Sequence, residues 1–214
     1  MVRQAIGAFP AVPSPDSVRA RPGGRTARIR TQVLDAVGAV LTEQGFDALS
    51  IDAVAARSGV HRATVYRRWR DVGGLLADVV DAAGDLPWQP RDTGSLHGDL
   101  TALNAEIQDS MTETPSIALA LIAVSFRSEE AARALRRLWD DRYTQSEVIV
   151  ERAIRRGDLP PEVDARALLI AATAPLYHQL VLLRTPPDPA LADRAARTAA
   201  LAAAAGAFSG GSAH

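Results

Sequence analysis

Between Gly59 and Asp71 the chain reads GVHRATVYRRWRD, with four arginines set beside a threonine, a tyrosine and a tryptophan. Guanidinium groups are planar forks that suit two kinds of partner, phosphate oxygens and the O6/N7 edge of guanine. A bidentate guanine contact discriminates against other bases by about 1–3 kcal/mol. The hydroxyls of Thr64 and Tyr66 suit phosphate, and the methyl groups of Ala63 and Thr64 suit the methyl of thymine. Two other readings stand beside this one. Trp69 and Tyr66 fit a packing role, and Arg68 has an acid nearby in Asp71. Charge along the 214-residue chain is uneven: the formal net value is −1, yet residues 1–70 carry +6 and the remainder −7. A basic N-terminal third on an acidic remainder is expected where one end meets nucleic acid, although a solvated basic face has the same signature.

Such a cluster acts only if something presents it outward. Ile29, Val33, Val37, Val40 and Leu41 recur at helical spacing, and Gly45 supplies a stop. In LSIDAVAARSG, Ser50 is placed as an N-cap, Val54 and Ala55 form an apolar face, and Gly59 follows the end. The arginine-rich stretch is then a third helix, with Val60 and Val65 facing inward. A helix, a sharp turn at Gly59 and a second helix make a helix-turn-helix, whose second helix lies in the major groove of DNA. Asp71 suits the cap of a fourth helix, VGGLLADVVDAAG, which Gly73 and Gly74 weaken.

From about Thr26 to Val80 the chain resembles the TetR family of bacterial transcriptional regulators. The resemblance rests on LSIDAVAARSGVHRATVYRRW, in which Ser50, Val54, Ala55, Gly59, Val60, Thr64, Val65, Tyr66 and Trp69 stand at the family's characteristic places. It implies a DNA-binding surface made of Ser50, His61, Arg62, Ala63, Thr64, Tyr66, Arg67 and Arg68. Two positions depart from the pattern. His61 stands where the family often has a serine and suits a cap, a DNA contact or simple exposure; Val72 stands where the family commonly has a phosphate-binding lysine, and Arg70 is a candidate substitute. Arg19, Arg21, Arg25 and Arg28 suit either a minor-groove arm or an idle basic tail.

The remaining chain is read as all-α, giving about nine helices in total. Helical segments are expected at about 96–112, 115–126 and 129–156, then from an Asp164 cap to about Arg184 with a kink at Pro175, and last from an Asp188 cap with Pro189 at the first position. The expected organisation is a Pro/Gly-rich tail at 1–24, a DNA-binding domain at 25–70, a larger ligand-binding and dimerisation domain at 71–208, and a short tail at 209–214. The resemblance implies a homodimer joined through the two C-terminal helices, and a pocket for a small-molecule effector. Residues with the bulk or polarity to line it are Met111, Phe126, Trp139, Tyr143, Tyr177 and His178, each of which also fits ordinary core packing.

Hydrophobic residues make up 47% and charged residues 23%, a globular composition. With no cysteine, disulfides, thiolate metal sites and cysteine nucleophiles are excluded. No uncharged apolar run reaches the roughly 18 residues of a spanning helix, so a cytoplasmic protein without membrane contact is expected. No catalytic, metal-binding or nucleotide-binding signature is present, and no cofactor is expected. The reading is a dimeric DNA-binding regulator, a repressor released from its double-stranded DNA operator by a small molecule. A helical interaction module that has lost DNA binding, and more remotely an enzyme, are the other classes.

Overall fold

The computed structural model describes residues 24–84 and 88–209. Arg19, Arg21 and most of the expected N-terminal tail, together with residues 210–214, lie outside the described residues. Nine α-helices occur among those described: α1 (Arg25–Gln44), α2 (Ile51–Ser58), α3 (Arg62–Trp69), α4 (Val72–Gly84), α5 (Leu96–Thr112), α6 (Ile117–Ser125), α7 (Glu129–Arg156), α8 (Ala165–Tyr177) and α9 (Leu191–Ala204). The one β feature among them is an isolated bridge, Val163 to Ser209. The all-α expectation holds.

The described residues divide into two compact units, 24–84 with 113–138, and 88–112 with 139–209. In the first, the apolar positions of α1 become a buried stripe. Val33, Val37 and Val40 are fully enclosed and Leu41 nearly so. They meet the buried faces of α2 and α4, to which Val54, Leu75 and Leu76 contribute fully buried side chains. Each such residue stabilises by about 1.5–3 kcal/mol relative to exposure. Gly45 closes α1 at φ 81°, a conformation that costs a glycine little.

The paired glycines of α4 have a steric role that propensity alone hides. A Cβ on Gly74 would lie 2.2 Å from the Trp69 carbonyl oxygen, and one on Gly73 would lie 2.3 Å from Ser128 Oγ. The bare backbone therefore lets α4 pass close under the end of α3 and against the start of α7. Asp71 caps α4 as expected, its carboxylate accepting the Gly74 N–H at 2.8 Å.

In the second unit α5, α8 and α9 pack on one another. Asp164 caps α8, accepting the Ala167 N–H at 2.9 Å. The expected continuous helix to Arg184 is interrupted: α8 ends at Tyr177, and His178–Leu183 form a π-helical turn. Pro175 has no N–H to give the preceding turn, and the ladder resumes with wider spacing. The last helix also starts later than the Pro189 expected from sequence. Asp188 accepts the Ala190 N–H on its carboxylate at 2.9 Å and the Leu191 N–H on its carbonyl at 3.0 Å, so a turn precedes α9.

Gly74→Ala is expected to destabilise by about 1–3 kcal/mol, because the obstructing atom is backbone and the overpacking outweighs a helix-propensity gain of about 1 kcal/mol. Gly73→Ala would meet Ser128 Cβ at 2.6 Å as well as its Oγ at 2.3 Å, so Ser128 must shift and a loss of about 1–3 kcal/mol is expected there too. Urea unfolding of the two variants measures both losses.

Candidate nucleic-acid interface

The turn before α3 is built by two local devices. Gly59 closes α2 in the left-handed region at φ 68° and ψ 9°, and Ser58 Oγ accepts the Val60 N–H at 3.3 Å. His61 then caps α3, its Nδ1 accepting the Ala63 N–H at 3.3 Å. A neutral imidazole nitrogen thus does the work of the serine oxygen commonly found there. At the start of α2, Ser50 Oγ accepts the Ala53 N–H at 3.1 Å.

Helix α3 has two opposed faces. Val65 is fully buried and Trp69 is 2% exposed, so both face the core. Val60, expected to face inward, is only half-buried, as is Thr64. Arg62, Ala63, Tyr66, Arg67 and Arg68 are exposed. Arg62 pairs with Asp52 on α2, but both side chains are about two-thirds exposed. Such a pair contributes at most about 1 kcal/mol, so Asp52 holds Arg62 only lightly. Arg67 has no ion-pair partner among the described residues. Arg68 stacks on the Trp69 ring with its guanidinium carbon 4.9 Å from the centroid, which leaves the group charged and orients it.

What fixes the angle of α3 is a carboxylate on another helix. Trp69 Nε1 donates to Asp78 Oδ2 at 2.8 Å, while Arg30 donates to Asp78 Oδ1 through Nε at 2.8 Å and Nη2 at 2.6 Å. One carboxylate of α4 thereby ties α3 to α1. After Trp69 the chain bends sharply: Arg70 is held at φ 58° and ψ −49°, and the Asp71 N–H reaches back to the Trp69 carbonyl. That approaches the rare and strained form of the γ-turn.

The effector candidates are dispersed. Trp139, Tyr143 and Tyr177 meet around a cavity of about 20 Å³ in the second unit. Trp139 stands edge-on to Tyr177, centroids 4.8 Å apart, and Tyr143 Oη lies 3.2 Å from Thr173 Oγ1. Met111 is buried in α5 but does not line this cavity. His178 borders a separate open groove of about 610 Å³ beside Pro175. Phe126 lies just past the end of α6, in the first unit, and is 82% exposed. Helical spacing places these residues on apolar faces but does not show which face meets which.

Residues 33–79 match the model of bacterial regulatory proteins of the tetR family, and residues 90–199 match that of the tetracyclin repressor-like C-terminal domain. The second match alone spans half of the chain. This protein belongs to the TetR family. Its relatives include the HTH-type transcriptional regulator AqdR of Rhodococcus erythropolis, 37% identical over 72% of this chain and 74% of the relative. The DNA-binding transcriptional repressor TetR of Mycobacteroides abscessus is 31% identical over 67% of this chain and 77% of that protein. Among solved structures, the TetR family transcription regulator SCO0332 aligns with a TM-score of 0.65 at 29% identity, covering 81% of this chain and 97% of that one. The protein is a DNA-binding transcriptional regulator.

Within the TetR pattern, Val72 is half-buried and apolar, so its side chain has no means of holding a phosphate. Arg70 is exposed beside it. Sequence reading passed over Arg30 and Asp78. A signal was present: Asp78 is the single acid inside the apolar run GGLLADVV, and Arg30 interrupts the stripe of α1. Asp78→Ala is expected to lower unfolding free energy by about 1.5–3 kcal/mol, the usual cost of losing hydrogen bonds to a charged group. Arg67→Ala should stay within about 0.5 kcal/mol of the parent. Chemical denaturation of both variants checks the contrast.

Proposed function

We propose that the protein acts as a dimeric repressor in the cytoplasm, with α3 of each copy in the major groove of one double-stranded operator, released when a small molecule binds. In this reading residues 25–70 carry DNA contact and 71–208 supply dimerisation and effector binding. Arg62, Arg67 and Arg68 meet base edges or phosphates; Thr64, Tyr66, Ser50 and His61 meet the backbone; Ala63 allows close approach. The supporting observation is the two-faced α3, whose guanidinium groups stand outward while Val65 and Trp69 hold its inner side. The repressor role draws on the relative from Mycobacteroides abscessus, which is named as a repressor.

Dimerisation finds support in an uncovered apolar face. Residues 165–183 have the length and hydropathy of a membrane span, yet only 28% of that stretch is buried within one chain. Ile170, Leu182 and Leu183 are exposed there, and Leu201 is 66% exposed on α9. Positions 170, 174, 178 and 182 follow one another every fourth residue, so one stripe carries Ile170, Ala174, His178 and Leu182. Large exposed leucines with alanine between them suit close packing of helices from a second copy.

A gel-shift titration on the DNA flanking the gene tests this reading. Specific binding should fall by about 10³–10⁵ between 50 and 200 mM salt if roughly six to ten phosphates are engaged. The double variant Arg67→Ala, Arg68→Ala should lose specific binding while its helical circular dichroism is unchanged. Leu201→Arg should shift light scattering toward a monomer and lose operator binding with it. Absence of specific binding in an unbiased selection of DNA sequences would favour an interaction module instead.

A further inference from the structure

The small cavity among the aromatic residues of the second unit has an unusual polar inventory. Its walls are Trp88, Trp139, Tyr143 and Tyr177, with Leu103 and Ile107 beside them. Arg142 also lines it and is only 9% exposed. The guanidinium stacks on Trp88 at 4.9 Å and donates one long hydrogen bond, 3.3 Å, to Gln145 Oε1. No ion pair joins it to a carboxylate among the described residues. Glu106 is near enough to be felt, but its Oε2 accepts the Trp88 Nε1 proton at 3.1 Å. Burial lowers the pKa of Arg142, with Glu106 and Asp141 opposing that shift, and the group remains a cation.

A second donor lies at the same cavity. Tyr177 Oη is buried with no hydrogen-bond partner among the described residues. Burial raises its pKa well above 10.0, and Tyr143 adds to the effect, so the hydroxyl keeps its proton. Tyr143 has Thr173 as a partner and is not in the same position. A cation and a hydroxyl desolvated at one cavity are costly to the folded chain, and stacking, one long hydrogen bond and the nearby Glu106 offset that cost only in part for Arg142. Both are donors. Around them stand flat aromatic rings.

We infer that the effector is an aromatic carboxylate, its ring held among Trp88, Trp139 and Tyr177 and its carboxylate received by Arg142 and Tyr177. This inference rests on the effector reading given above and names its chemistry. At about 20 Å³ the cavity has room for about one water molecule, so a ring enters only as Trp139 and Tyr177 part. Such a ligand binds one conformation of this unit and not the other, which is the condition for linking its binding to another equilibrium.

Calorimetry and tryptophan fluorescence on the full chain test the inference, with benzoate and 2-naphthoate as probes. Benzamide and 2-naphthamide serve as neutral matches, and acetate as a ringless one. The carboxylates should bind about ten- to a hundredfold more tightly than their amides, the factor expected of hydrogen bonds to a charged group. Acetate should show no binding. Arg142→Met should remove the preference while raising the thermal midpoint of the free protein, because it deletes a buried cation that has no ion pair among the described residues. A purely structural arginine would show the reverse. Tyr177→Phe should weaken carboxylate binding severalfold at unchanged midpoint. Equal binding of acid and amide, no binding of either ring pair at millimolar concentration, or a lowered Arg142→Met midpoint with the preference intact would overturn the inference. Operator affinity measured alongside separates the two readings. Carboxylate binding that leaves DNA affinity unchanged removes the effector role and keeps the ligand class; release by a neutral or ringless compound alone does the opposite.

Discussion

The Asp78 carboxylate is the point on which presentation of α3 depends. Apolar burial of Val65 and Trp69 keeps α3 attached to the core, but burial has no direction. Hydrogen bonds do. By accepting from the Trp69 indole and from Arg30 together, Asp78 fixes both the rotation of α3 and its register against α1. The two donors share the carboxylate's charge, and the site is partly shielded from water, so the bonds are stronger than exposed pairs such as Arg62–Asp52. The arrangement divides labour. Strong polar contacts orient the helix from behind, and the contacts on its outer face are weak.

The same principle sorts the arginines of the chain. Arg30 is consumed by structure. Arg62 is lightly held, Arg67 is unpaired among the described residues, and Arg68 is steered by stacking. Arg142 is the exception, a cation withdrawn from water with acids nearby but no ion pair among the described residues. Polar groups left unsatisfied in a folded protein call for an explanation outside the fold, and a ligand is the simplest one. Both units thus hold guanidinium groups without an ion pair among the described residues, Arg67 in the first and Arg142 in the second.

Much of this was legible before any coordinates. Caps at Ser50, Asp71 and Asp164, the stops at Gly45 and Gly59, and the outward side of α3 follow from short-range rules: side-chain oxygens accept from helix N–H groups, glycine tolerates positive φ, and apolar residues recur with the helical period. What escaped was set by distant partners. The Arg30–Asp78 pair spans 48 positions, and no local pattern joins its members. Gly73 and Gly74 read as helix weakeners because the carbonyl and hydroxyl that require them lie outside α4. Met111, Phe126, Trp139 and His178 read alike as pocket residues, yet of these four Trp139 alone lines the aromatic cavity, since periodicity gives a face but not what covers it. The π-turn after Pro175 and the late start of α9 are shifts of a few residues at helix ends, where several hydrogen-bonding patterns compete within small energies.

The brevity of α3 has a consequence for how much genomic information one copy can extract. Eight residues rising 1.5 Å each make a rod about 12 Å long. At about 3.4 Å per base-pair step, that spans roughly three or four base pairs. A word so short recurs constantly in a bacterial chromosome, among some millions of competing registers. In the proposed dimeric reading, selectivity therefore comes from outside the helix: from repetition of the word at a fixed phase along the duplex, and from how readily the intervening DNA bends.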